Sequence, residues 1–256
     1  MTSLPDPSRP LDSGTAADAF DRILGADLAD ADISAFLLVL SERGETPDEI
    51  AAAAQVLRAR MRAVEAPENA IDVCGTGGDG SHSLNVSTAV AFVVAACGVP
   101  VAKHGNRGAS SRSGTADVLE ALGWRPDQPP ARVESALRET GIAFLFAQAH
   151  HPALARVAPI RRALGRRTIF NLLGPLANPA RVKRQMIGVF SRQWIEPMAQ
   201  VSKALGSTRV WVVHGSDGLD EVTTTGPTTV AALDKGKITT FEISPADVGL
   251  KPISGE

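Results

Sequence analysis

Apolar residues recur at three- and four-residue spacing across residues 16–64: Phe20, Ile23 and Leu24, then Ile33, Phe36, Leu37 and Leu40, then Ile50, Leu57 and Met61. This spacing predicts successive helices with one apolar face each. Asp32 and Thr46 are expected as N-caps, and Gly44 as the end of the middle helix. After a short polar linker at 65–69 the pattern changes. Apolar runs at 71–74, 99–102, 142–146, 186–190 and 210–214 predict strands, and helical segments fall at 88–97, 113–122, 131–139, 152–164 and 195–205. Such alternation argues for a largely parallel sheet with helices on its faces. Runs at 230–233 and 237–243 flank Asp234-Lys235-Gly236, a hairpin signal. The expected fold is α/β: a small N-terminal helical domain, then a larger domain with a largely parallel sheet flanked by helices. The expected division is a mobile tail at 1–14, rich in Pro, Ser and Asp, a helical domain at 15–66 and an α/β domain at 67–256. The helical domain is open to taking in later segments.

The first predicted strand runs into Cys74-Gly-Thr-Gly-Gly-Asp-Gly80; Asn85-Val-Ser-Thr88 and Lys103-His-Gly-Asn-Arg107 follow. Glycines let a backbone approach a ligand closely and adopt positive φ, so successive N–H groups can converge on phosphate oxygens. Thr76, Ser87 and Thr88 add hydroxyls, and a helix beginning near Ser87 would present its positive end. No acidic residue lies between Gly80 and Asp117, whereas Lys103, Arg107 and Arg112 do. One such loop alone reads more readily as an ordinary strand-to-helix turn; three clustered elements reverse that and favour a phosphate site. Gly75, Gly77 and Gly80 also satisfy G-x-G-x-x-G. A dinucleotide site, however, needs a helix opening on the glycines and a carboxylate about 20 residues on. Residues 81–84 read as loop, and the carboxylate position falls in the acid-free segment. No lysine follows the glycines before Lys103, so the P-loop pattern fails as well.

Ordinary apolar (44%) and charged (21%) fractions mark a globular chain, and a net charge of −2 argues against a general nucleic-acid binder. Two cysteines, Cys74 and Cys97, make no disulfide framework, and both read as buried thiols. No apolar run is long enough to span a bilayer and no secretory leader is evident, so a cytoplasmic protein acting on small molecules is expected, without membrane or nucleic-acid partners.

Five ordered blocks resemble the anthranilate phosphoribosyltransferases of tryptophan biosynthesis. They are Cys74-Gly-Thr-Gly-Gly-Asp79, Asn85-Val-Ser-Thr88, Lys103-His-Gly-Asn-Arg107, Ser110-Ser-Arg-Ser-Gly114 and Phe170-Asn-Leu-Leu-Gly-Pro-Leu-Ala-Asn-Pro179. The resemblance implies transfer of the 5-phosphoribosyl group from phosphoribosyl pyrophosphate (PRPP) to anthranilate, with two Mg²⁺ ions, by a homodimer formed through the N-terminal helices. It implies PRPP contacts at Gly75, Thr76, Gly77, Gly78, Asp79, Asn85, Ser87, Thr88, Lys103, His104, Gly105, Asn106 and Ser111. Gly75, His104, Asn106, His151 and Arg161 are implied for anthranilate, and Lys103, Asn106 and Arg161 carry the catalytic roles. Ser87, Asp220 and Glu221 are the implied metal ligands. Asp220 and Glu221 reach one ion only if the backbone turns, which Gly218 permits. Arg161 suits a carboxylate, although Arg161, Arg162, Arg166 and Arg167 read equally as a solvated helix face. His150 and His214 read as structural or remain unassigned, and 171–179 reads as a rigid strut of turns. Relatives of this kind usually continue with further helices, so the chain is expected to be C-terminally short. A pyrimidine-nucleoside phosphorylase-like enzyme and a non-catalytic nucleic-acid-binding relative are the competing readings. The first expects a Lys-His-Ser start where Lys103-His104 continues Gly-Asn-Arg; near-neutral charge opposes the second.

Overall fold

The computed structural model describes residues 3–80, 84–108, 114–126 and 128–254. Three helices open the chain: α1 (Ser13–Ile23), α2 (Asp30–Arg43) and α3 (Pro47–Ala59). Thr46 caps α3 in a capping box with Glu49, and Gly44 ends α2 at φ 90°. The α2 cap is not Asp32: the helix starts two residues earlier, behind Ala29, and Asp32 sits with Asp30 in the first turn, where acids complement the helix dipole. The segment before α1 is also better held than its composition suggests. Leu11 N–H donates to the buried Glu49 carboxylate at 2.9 Å, Arg43 Nε donates to Pro7 O at 3.0 Å, and Leu4 and Leu11 pack on the core. Residues 3–12 therefore lie against the bundle.

The remainder forms one seven-stranded sheet of order β3-β2-β1-β4-β5-β6-β7. Its strands are β1 (Ile71–Gly75), β2 (Val101–Gly105), β3 (Ile142–Phe146), β4 (Arg184–Gly188), β5 (Arg209–Gly215), β6 (Thr228–Asp234) and β7 (Lys237–Ile243). The first five are parallel; β6 and β7 run antiparallel as a hairpin. Lys235 (φ 47°) and Gly236 (φ 80°) make its two-residue turn, the left-handed pair that matches strand twist. Between the strands lie α4 (Val86–Ala96), α5 (Thr115–Ala121), α6 (Pro130–Thr140), α7 (Ala147–His150), α8 (Leu154–Leu164), α9 (Phe170–Leu176) and α10 (Ile195–Ala204). The expected strut at 171–179 is thus helical over its first part. Burial of Phe170, Leu172, Leu173 and Leu176 holds α9 despite Gly174-Pro175.

One apolar core joins α1–α3 to α8, α9, α10 and a face of the central strands through Ile187, Val210, Val212, Ala231 and Leu233. Arg58 of α3 reinforces this join, donating from Nε to Leu176 O (2.6 Å) and from Nη1 to Leu205 O (3.3 Å), carbonyls that α9 and α10 leave unpaired at their ends. On the opposite face, α4 covers Val73 and Val101. Cys74 is buried as expected, but Cys97, just past α4, is exposed. One irregularity bears on the site: β1 pairs with β4 from Ile71↔Arg184 to Gly75↔Gly188, but with β2 only at Ile71↔Val101.

Candidate active site

Ligands of parallel sheets gather beyond the carboxyl ends of the strands. Here the ends of β1, β2 and β5 surround a cavity of about 370 Å³. It is lined by the glycine turn from Gly75 to Gly80, Asn85 and Ser87 at the start of α4, Lys103 to Asn106 after β2, and Asp220 and Glu221 after β5. Opposite them stand His151, Arg161 and the Phe170–Gly174 side of α9. Two expected residues are not brought to this wall. The Thr88 hydroxyl is buried against α5, donating to Thr115 Oγ1 at 3.0 Å, because one helical step turns it away from Ser87. Ser111 lies outside the described residues.

The turn is left-handed at Gly77 (φ 65°), Gly78 (φ 77°) and Gly80 (φ 77°). Asp220 Oδ2 accepts the Gly77 N–H at 2.8 Å, and Arg167 donates to Gly78 O while its guanidinium stacks 4.4 Å over Phe190. Thr76 Oγ1 accepts the Phe190 N–H at 3.0 Å, which ties the turn to the end of β4. Gly218 (φ 91°) bends the loop after β5, and Asp217 closes it by accepting from Leu219 N, Thr223 Oγ1 and Thr225 Oγ1. Burial pushes the Asp220 carboxyl up, with Asp79 adding to the effect. Burial, followed by the Asp220 charge, pushes Glu221 up to about 7, against the pull of Lys103 and the Ser87 N–H. Adjacent buried carboxylates of this kind are relieved by a hard cation. Among the described residues no three His, Cys, Asp or Glu side chains could hold a metal alone, so phosphate oxygens and water would have to complete magnesium's octahedron. Ser87 Oγ, 3.3 Å from Lys103 Nζ, adds an oxygen at the same wall.

Lys103 is buried, its ammonium donating to Val73 O at 2.6 Å. Next to it His104 is also buried, with Nδ1 2.9 Å from Gly174 O and its ring edge-on to His151 at 5.2 Å. Burial depresses His104 to about 3 and His151 to about 4, so this pair is neutral at physiological pH. Asn106 Oδ1 accepts from Arg107 N (2.9 Å) and Gln148 Nε2 (3.3 Å). The Arg107 guanidinium binds Asp117 and Glu120, so its charge is matched on α5 and adds little to the cationic character expected of this segment. Arg161 faces the cavity half-buried, 5.7 Å over Phe170, whereas Arg162 is exposed and Arg166 pairs with Glu42 at 3.0 Å. His150 and His214 bind the backbone oxygens of Arg62 and Val189 at 2.8 Å each and stay outside the cavity.

Sequence reading missed Arg167 and a buried polar cluster beneath the cavity. Asp72, wholly buried in β1, accepts from His104 N (3.1 Å), Asn178 Nδ2 (2.8 Å), Cys74 Sγ (3.4 Å) and Gln185 Nε2 (3.5 Å). Burial pushes its carboxyl up; the nearby Lys103 charge and the Asn178, His104 and Cys74 donors pull it back. An acid inside the apolar run Ile71-Asp72-Val73-Cys74 was the available signal.

Comparison with known proteins agrees with this layout. Residues 7–61 match the helical bundle domain, and residues 67–256 the a/b domain, of a glycosyl transferase family. The fold is thus that of a two-part glycosyl transferase. The chain is 61% identical over 241 residues to the anthranilate phosphoribosyltransferase of Bradyrhizobium sp. (strain ORS 278), spanning 94% of this chain and 72% of that protein. It is also 61% identical over 239 residues to the enzyme of Rhodopseudomonas palustris (strain BisA53), spanning 93% and 70%. Among solved structures, anthranilate phosphoribosyltransferase from Thermus thermophilus superposes with a TM-score of 0.90 at 44% identity, over 96% of this chain and 74% of that one. The Saccharomyces cerevisiae enzyme in complex with PRPP and Mg superposes with a TM-score of 0.87 at 30% identity, over 95% and 71%. The chain belongs to the anthranilate phosphoribosyltransferase family.

Proposed function

We propose that this chain transfers the 5-phosphoribosyl group of PRPP to the amino group of anthranilate, releasing pyrophosphate, as a step of tryptophan biosynthesis. The observation that carries the reading is a single cavity with two chemically distinct walls. One wall is the glycine turn, Lys103 and the Asp220–Glu221 loop; the other is His104, His151 and Arg161. Breaking the anomeric bond builds positive charge on the ribose and negative charge on the departing pyrophosphate. Cations and N–H groups fixed where that charge develops supply the largest share of rate acceleration. Lys103 is such a cation, held in place by Val73 O and shielded from water. In this reading Gly75, Thr76, Gly77, Gly78 and Asp79 cradle the diphosphate, and Asn85, Ser87, Gly105 and Asn106 bound the phosphoribosyl moiety. Ser87, Asp220 and Glu221 would hold magnesium, with two ions expected per site, and the metal would supply neutralisation of phosphate charge.

At the second wall, Arg161 and Asn106 take the anthranilate carboxylate, and the guanidinium's planar fork fixes the ring's orientation. The neutral His104–His151 pair flanks the ring without adding charge. An arylamine is already nucleophilic, so alignment does much of the remaining work. A cytoplasmic homodimer joined through α1–α3 is the assembly we propose, and light scattering tests it. No helix of the described residues is long and apolar enough to cross a membrane. Loss of anthranilate fluorescence on adding PRPP and Mg²⁺ tests the reaction, compared with Lys103→Ala, for which a drop of roughly 10²-fold or more is expected. Absence of turnover by the folded wild-type chain would sink it.

A further inference from the structure

Beyond Ile71↔Val101, the hydrogen bonds expected between neighbouring parallel strands β1 and β2 are made by side chains. The His104 N–H goes to Asp72 Oδ1 at 3.1 Å. Asn178 Nδ2 reaches both Asp72 Oδ2 (2.8 Å) and Ala102 O (2.9 Å), and Lys103 Nζ takes Val73 O (2.6 Å). The backbone ladder between the two strands stops there, and buried polar side chains satisfy the backbone groups in between. By contrast β1 and β4 stay in register to Gly75↔Gly188, and β2 and β3 to Gly105↔Phe146. Among these neighbouring parallel strands, the interrupted ladder belongs to the pair whose ends carry the glycine turn and the Lys103–His104 segment.

We propose that Asp72 is a positioning residue for the transfer reaction: its carboxylate, bridged by Asn178, spaces the end of β1 from the end of β2 and so sets the distance between the glycine turn and the Lys103–His104 segment. The inference rests on the transferase reading of the cavity. Both carboxylate oxygens are needed, because every group facing Asp72 is a donor: a backbone N–H, two side-chain amides and a thiol. An amide at position 72 would turn one of its own donors on Asn178 Nδ2 or on the His104 N–H. Buried donors left opposed or unpaired drive local rearrangement. Such a rearrangement would shift the glycine turn relative to His104, whose ring is fixed at its far side by Gly174 O. Neither Asp72 nor Asn178 lines the cavity, so a change at either acts only through the residues they hold.

The test uses Asp72→Asn and, in case that variant fails to fold, Asn178→Ala, each compared with the full wild-type chain. Two readouts are taken: the His104 backbone amide resonance, and steady-state constants for both substrates. We expect the His104 amide, which donates to a carboxylate in the wild type, to move upfield in Asp72→Asn and to shift in Asn178→Ala. Anthranilate KM should rise roughly tenfold with a fall in kcat, as sub-ångström misplacement of a reacting partner predicts. A smaller folded fraction lowers apparent kcat but cannot raise a KM. Constants within about threefold of wild type in a folded variant would overturn the proposal. So would an altered KM with an unmoved His104 amide. An inactive wild type sinks the transferase reading and this inference with it; an active wild type with unaffected variants sinks this inference alone.

Discussion

The carbonyl oxygen of Asp220 occupies the space that a β-carbon on Gly188 would need. Gly188 pairs with Gly75 across β4 and β1, and a β-carbon on Gly75 would meet the Asp220 carboxylate. The two glycines form a floor on which the Asp220–Glu221 loop rests. Gly188→Ala should therefore push that loop off the sheet, because backbone, unlike a side chain, has no rotamer to give. We expect a stability loss of about 1–3 kcal/mol, as for overpacking, together with weakened Mn²⁺ binding followed by electron paramagnetic resonance. Unchanged Mn²⁺ affinity would contradict the floor role.

Arg161 should matter to one substrate only. In Arg161→Lys the charge survives but the bidentate fork does not, so anthranilate KM should rise about tenfold, on the order of 1.4 kcal/mol of lost carboxylate binding. PRPP KM should stay near wild type. An equal rise in both constants would place Arg161 outside the acceptor wall.

Arg167 holds the glycine turn from outside, bonded to Gly78 O and stacked on Phe190. Arg167→Ala removes both contacts. The expected result is a higher PRPP KM at unchanged anthranilate KM, accompanied by faster amide exchange at Gly77 and Gly78. Wild-type exchange rates would show that the turn holds itself.

His104 at about 3 and His151 at about 4 bind protons far less readily than the ordinary histidine value of 6.5. The unfolded chain takes up these protons near 6.5 while the folded chain refuses them. Their contribution to stability is therefore complete above pH 6.5 and is lost as pH falls towards 4 and then 3. Between pH 6.5 and 5.5 the pair should cost about 1–2 kcal/mol. Urea midpoints at the two pH values measure this, and His151→Gln should flatten the dependence; an equally steep dependence in that variant would assign the acid sensitivity elsewhere.

Much of this arrangement could be read from local spacing. The faces of α1–α3, the run of parallel strands and the Asp234-Lys235-Gly236 hairpin all follow from periodicity and turn chemistry, which act over a few residues. The glycine turn was legible as an anion cradle, yet Gly75 and Gly188 are also required by a loop more than thirty residues beyond the second of them. That is a tertiary constraint with no local mark. Thr88 looked equivalent to Ser87 because a motif is linear, whereas a helix turns neighbours to different sides. Asp72 was passed over because its partners, His104, Asn178 and Gln185, come from three separate segments. Asp32 and Cys97 failed at helix ends, where one or two residues decide between cap and first turn, or between buried and exposed.

Arg58 gives the join between bundle and sheet a mechanical meaning. Its guanidinium grips the last carbonyl of α9, and two residues earlier along the same helix the Gly174 carbonyl steadies the His104 ring. The position of α1–α3 is therefore coupled through α9 to the acceptor wall. A bundle that carries no group of the phosphate wall nonetheless takes part in setting where the acceptor would lie.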